Sequence, residues 1–215
     1  LAALVVVGSH TERSGSMQPD GIVLYNLEVL ADPAEGSFRG IALHGQKTII
    51  EKCVVRGFKS EFEAQAVASW NGPGPYIIRD CSMSASGEVI IFGGAEAHIG
   101  ANPRSILVEN CVLEKTPDML EKRPDGRPRF LIKNIFELKR AENVVVRNCI
   151  LRNAYHGAHS GFAVVLTVRT EGGRNPFGAV RDVLFEGCQL INCGAGVNIL
   201  GQDNLGKGHP GQLEG

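Results

Sequence analysis

Hydrophobic and polar positions alternate along this chain in short bursts, and one burst keeps returning. VVVRNCILRN, residues 144–153, places Val144 and Val146 five and three positions before a cysteine and Leu151 two positions after it. That is the period of a strand with one buried face. Aligned on the cysteine, TIIEKCVVRG, YIIRDCSMSA, ILVENCVLEK and VLFEGCQLIN repeat the pattern around Cys53, Cys81, Cys111 and Cys188, and IVLYNLEVLA carries Leu27 in the same place. The preceding residue is Asn26, Lys52, Asp80, Asn110, Asn148 or Gly187. Asparagine, aspartate and glycine tolerate left-handed backbone, so this column predicts a tight bend in every repeat.

A second family of strands lies upstream of each cysteine segment: GIALHG, QAVASWNG, EVIIFGG, KNIFELK, FAVVLTVR and GVNILG. Successive alignment points are 26, 28, 30, 38 and 39 residues apart. Short strands separated by polar turns, with no helical period between them, predict an all-β fold, a parallel β-helix (solenoid) of about six to seven coils. Its coils stack like residue on like and wind right-handed. The whole of 1–215 reads as one domain, with 1–20 an N-terminal edge strand and loop and 205–215 a polar tail or loop leading toward further coils. The abrupt start without methionine reads as part of a longer β-helix.

Composition narrows the functional classes. The net charge is -1, and aromatic residues make up 6% of the 215. Scattered basic residues and so few aromatics give neither a phosphate-tracking stripe nor a base-stacking platform, which argues against nucleic acid. LAALVVVG is apolar for too short a run to span a membrane. Five of the six cysteines occupy one repeat position, where Leu27 is the alternative, so they read as a reduced, buried column; side chains stacked in parallel do not converge as a disulfide requires. They come without C-x-x-C pairs, and no metal or cofactor is expected.

AQAVASWNGPGPYIIRDC, SGEVIIFGG, KNIFELKRAENVVVRNC, SGFAVVLTVR and AGVNILGQDN resemble a group of bacterial right-handed β-helix proteins of the pectate-lyase-like superfamily. The resemblance spans most of residues 20–204. It implies an extracytoplasmic protein whose partner is a polysaccharide or cell-surface glycan, lodged in a groove over one sheet. It does not fix an activity, since the superfamily holds lyases, hydrolases, epimerases and non-catalytic rods. Where calcium-dependent lyases cluster aspartates, this chain has no tight acidic cluster, and AGVNILGQDN offers only Asp203 beside Asn204.

Two insertions, 116–129 and 170–178, are too long for simple turns and predict groove walls. Strand alternation in KNIFELK turns Phe136 and Leu138 inward and Ile135, Glu137 and Lys139 outward; the overlay adds Glu88, Ile90 and Phe92 from the preceding coil, Thr167 and Arg169 from the next, and His44 in GIALHG. If the groove is catalytic, Glu137 is the candidate acid or base and Lys139 or Arg169 the stabiliser of negative charge. Candidate binding residues are Trp70, His44, Arg127 and Arg174. Trp70 either stands out to stack on a sugar face or caps the core beneath its loop. The overlay puts Glu88 beside Lys133 as a surface ion pair and about 14 Å from Glu137, too far for a glycosidase pair; Asp118 or Glu171 is then the alternative carboxylate. His156 and His159 lack a helix to align them on a metal. The competing reading is a rigid structural or adhesion rod whose outward charges form a solvated ladder.

Overall fold

The structure, a computed structural model, describes residues 3–32, 38–170, 173–201 and 212–214. Glu171, Asp203, Asn204 and the tail 205–211 lie outside them. The strands follow in threes: β1 (Ala3–Val7), β2 (Val23–Tyr25), β3 (Glu28–Leu30); β4 (Arg39–Leu43), β5 (Thr48–Glu51), β6 (Val54–Phe58); β7 (Gln65–Ser69), β8 (Tyr76–Arg79), β9 (Ser82–Ala85). They continue with β10 (Ile90–Phe92), β11 (Arg104–Glu109), β12 (Val112–Glu114); β13 (Phe136–Leu138), β14 (Ala141–Arg147), β15 (Ile150–Arg152). The last are β16 (Phe162–Thr167), β17 (Ala179–Glu186), β18 (Gln189–Ile191), then β19 (Ala195–Leu200) and β20 (Gln212–Glu214). Every third strand pairs in parallel, giving a first sheet β1-β4-β7-β10-β13-β16-β19, a second β2-β5-β8-β11-β14-β17-β20 and a third β3-β6-β9-β12-β15-β18. Three parallel sheets of stacked strands are the arrangement a parallel β-helix requires. The tail predicted as loop contributes β20, which pairs with β17.

Interior residues stack like on like, as the repeat demands. Ile50, Ile78, Val108, Val146 and Phe185 are successive register partners in the second sheet, and Val29, Val55, Met83, Leu113 and Leu151 in the third. Between these sheets the chain turns at the predicted column: Asn26, Lys52, Asp80, Asn110 and Asn148 have φ of 53°, 54°, 55°, 55° and 54°, and Gly187 has 61°. Asparagine recurs here because its short side chain lowers the cost of left-handed backbone.

Cys53, Cys81, Cys111, Cys149 and Cys188 follow this bend and form one column, the amide after a cysteine donating to the carbonyl of its neighbour, as in Ser82 to Cys53 at 3.0 Å and Ile150 to Cys111 at 2.9 Å. All six are free; Cys53, Cys81, Cys111 and Cys149 are buried and Cys188 and Cys193 half-buried. Leu27 caps the column at its N-terminal end and is 40% exposed, contrary to the expectation of an interior position. It lies between β2 and β3 in the first triplet, beyond which no coil stacks among the described residues.

Candidate functional site

The first sheet differs from the other two in burying both faces over its middle strands, since every residue of β7, β10 and β13 is buried. Ile41, Val67, Ile90, Phe136 and Val164 are register partners in the core. One residue further along, Ala42, Ala68, Ile91, Glu137 and Val165 form a row on the outward face. Lys139 and Thr167 stand in the next outward row, joined by a 2.8 Å hydrogen bond from Nζ to Oγ1.

Two details of the sequence overlay are corrected here. Ile90 and Phe92 pair with Phe136 and Leu138 and face inward, and Ile135 joins the core. The physical reason is a bulge: the amides of Val89 and Ile90 both donate to the Ile135 carbonyl, so one extra residue is taken up at the start of β10 and the register shifts by one.

The bulge also overturns the 14 Å separation. Glu88 and Glu137 are near enough for each to act on the titration of the other. Each is only 1% exposed, so Glu88 is no surface residue, although its ion pair with Lys133 is present at 3.0 Å. Gln65 donates to Glu88 at 2.9 Å, and Lys133 also meets Glu63. Asn134 Nδ2 donates to Glu137 at 3.1 Å, and Lys139 Nζ lies 2.6 Å from the same carboxyl. Burial pushes Glu137 up from the usual carboxylate range, and Glu88 adds to this against the pull of Lys139. Burial acts on Glu88 in the same direction, but Lys133, Gln65 and its other partners outweigh it and bring it down to about 2.

A cavity of about 330 Å³ opens beside this pair, lined by Lys139, His159, Ser160, Val165, Thr167 and Arg169 among others. Asn134 offers its Oδ1 to His159 Nδ1 at 2.7 Å. Since that amide already donates through Nδ2 to Glu137, His159 Nδ1 must carry the hydrogen, which leaves Nε2 of the neutral ring as an acceptor. Burial lowers the His159 pKa, with Lys133 adding to the effect. The cavity thus combines an ammonium and a guanidinium with hydroxyls and a floor of Val165.

At the other end of the same outward face, Trp70 meets His44 edge-on at 4.4 Å between ring centroids, and the Arg39 guanidinium lies 5.0 Å over the indole. Trp70 is half-buried and absent from the core cluster. Burial drives His44 down to about 3, helped by His10 and Arg39, so it is neutral at ordinary pH. Arg39 links this cluster to the carboxylates, since Glu63 and Glu88 both act on it.

The insertions border the first sheet at opposite strand ends. Loop 116–129 enters ahead of β13 and is pinned to the β6–β7 connection by Lys59–Asp118 at 2.6 Å and Arg123–Glu61 at 2.7 Å. Among the described residues of 170–178, Asn175 holds Ala97 at 2.8 Å beyond the far strand ends. Of the seven sequence candidates, Glu137, Lys139, Arg169, Trp70 and His44 therefore share one face. Arg127 and Arg174 do not join them: Arg127 is 81% exposed beside Asp125, and Arg174 pairs with Glu96 at 3.0 Å.

Sequence reasoning missed Arg140 and Lys115. Arg140 is fully buried and donates to the carbonyls of Trp70 at 2.7 Å, Ala95 at 3.1 Å and Ala101 at 3.3 Å, tying together the loops of one wall. The alternation that turns Lys139 outward sends its neighbour to the other side, which was the available signal. Among the described residues no helix is long and apolar enough to cross a membrane, and no group of three or more His, Cys, Asp or Glu is placed to hold a metal. No protein-family model, curated protein or solved structure matches this chain.

Proposed function

We propose that the outward face of the first sheet, from Trp70 to Arg169, is a binding groove for an acidic polysaccharide on an extracytoplasmic β-helix of the right-handed, pectate-lyase-like kind. The observation that carries this reading is the shared face: an aromatic cluster at one end, a cavity with Lys139 and Arg169 at the other, and an insertion at each border. Aromatic rings and cations on one surface match the apolar faces and carboxylates of uronate sugars.

Binding is favoured over cleavage by the same geometry. Hydrolysis by two carboxyls needs both of them to reach the sugar bond, and Glu88 and Glu137 are each only 1% exposed. The rod reading has its own support in the second sheet, where Glu51–Arg79 and Glu109–Arg147 alternate as ion pairs at 2.8 and 2.7 Å. That ladder stiffens the scaffold and leaves the first sheet free for a ligand.

A panel of acidic and neutral oligosaccharides, scored for binding and for chain cleavage, tests the proposal. The expected result is retention of oligouronates without products. Equal indifference to every glycan would favour the rod, and cleavage would show that the site is catalytic.

A further inference from the structure

Asn134 is fully buried and bonded through both ends of its amide, and this fixes the chemistry of the histidine beside it. Its Nδ2 donates to Glu137 Oε2 at 3.1 Å and to the Phe136 carbonyl at 3.4 Å. A carbonyl can only accept, so the amide cannot be turned round, and its Oδ1 is the atom that meets His159 Nδ1 at 2.7 Å. An amide oxygen cannot donate. His159 therefore carries its hydrogen on Nδ1, and burial, which lowers its pKa, favours the neutral ring. Nε2 is left with a lone pair and no hydrogen, on a half-buried ring that lines the cavity. The rest of the lining is rich in donors. Lys139 lies 2.6 Å from Glu137, which answers its charge, and donates to Thr167 Oγ1 at 2.8 Å. With that oxygen occupied, Thr167 faces a ligand first as a hydroxyl donor. Arg169 can only donate, while Ser160 and Asn198 can serve either way.

We propose that His159 makes the cavity a subsite for a uronate unit with a free ring hydroxyl, which donates to Nε2 while the carboxylate of the same unit turns toward Lys139 and Arg169. The inference rests on the groove reading above and adds what the groove distinguishes. A carboxylate suits the donors of the cavity and is turned away by the Nε2 lone pair, whereas a hydroxyl suits Nε2, so the two walls set the orientation of the sugar. An acetylated hydroxyl has no hydrogen to give and leaves Nε2 desolvated against an oxygen. The groove thus selects uronates whose hydroxyls are free over those whose hydroxyls are acetylated. Asn134 is the positioning residue, since it holds the tautomer in which Nε2 accepts.

The test compares the affinities of an oligogalacturonate and of the same oligogalacturonate with its ring hydroxyls acetylated, for wild type and His159→Ala, at about pH 7.5, where the imidazole is neutral and the sugar carboxylates are ionised. Wild type should prefer the free sugar by about 5- to 150-fold, the range that follows from one unmade hydrogen bond to a desolvated group. His159→Ala should lose that preference by binding the free sugar more weakly, with little change toward the acetylated one. Equal wild-type affinity for the two sugars overturns the inference while leaving the groove in place. A preference that persists in His159→Ala also overturns it and moves the cause to crowding by the acetyl groups elsewhere on the face. A second measurement needs no variant: nitrogen-15 spectra of the imidazoles should show His159 with its hydrogen on Nδ1 and an Nε2 resonance that moves when the free sugar is added. A hydrogen found on Nε2, or an Nε2 resonance unmoved by a sugar that binds, refutes the acceptor. If neither sugar binds, the groove reading falls and takes the subsite with it.

Discussion

Replacing Lys115 by methionine should change not only the stability of the fold but its slope with pH. Lys115 is fully buried where the third sheet turns into the first, and its ammonium donates to the carbonyls of Ala85 at 2.8 Å, Ser86 at 3.0 Å and Gly87. Those residues lead directly into Glu88. Burial brings the Lys115 pKa down to about 7, against the opposing pull of Glu88 and Glu137, whereas the unfolded chain holds it near 10.4. Between these values the unfolded chain binds more protons, so wild-type stability rises with pH across that window by about 1.4 kcal/mol per unit. The penalty on the buried cation is fully present below about pH 7 and gone above about pH 10, a span of about 5 kcal/mol.

Methionine removes the titration and leaves three carbonyls without their donor, a pH-independent loss of about 1 to 3 kcal/mol for each. Urea unfolding at intervals from about pH 7 to about pH 10 reads both effects through the extrapolated free energies. Wild type minus variant should widen steadily with pH. Tyr76 and Cys53, whose pKa values burial raises, titrate in both proteins and cancel in the difference. A gap that stays constant across the window refutes the burial of a titrating lysine at this corner.

Cys149→Ser should destabilise by about 1 to 3 kcal/mol in the same assay, because the hydroxyl is buried in a column shaped for sulfur; an unchanged midpoint argues against that burial. Lys139→Ala should cost about 3 to 5 kcal/mol by leaving Glu137 buried without its cation, whereas Arg169→Ala, at an exposed position, should stay within about 0.5 kcal/mol and still weaken oligouronate binding. Equal stability losses in the two variants would contradict the different burial of these cations.

The bend column was legible residue by residue, since Asn26, Asp80, Asn110, Asn148 and Gly187 carry the chemistry of left-handed backbone in their identity. The cysteine column was legible for the same reason, as a repeated residue needs a repeated environment. Leu27 was not, because its exposure depends on what stacks against its turn rather than on its own type. Glu137, Lys139, His44 and Trp70 reached one face through simple alternation. Glu88 was misplaced because a bulge adds one residue without any signature in EVIIFGG, and a one-residue slip changes every facing. Hydrophobicity reasoning also hides Lys115 and Arg140, whose charges point to solvent until three carbonyls are seen to hold each of them.

The most direct measurement is a crystal structure of the protein soaked with an oligogalacturonate. The groove predicts sugar density along the outward face of the first sheet, with a carboxylate against Lys139 and Arg169 and the chain running toward Trp70. Density confined to the second or third sheet, or an empty first sheet at saturating sugar, would contradict it.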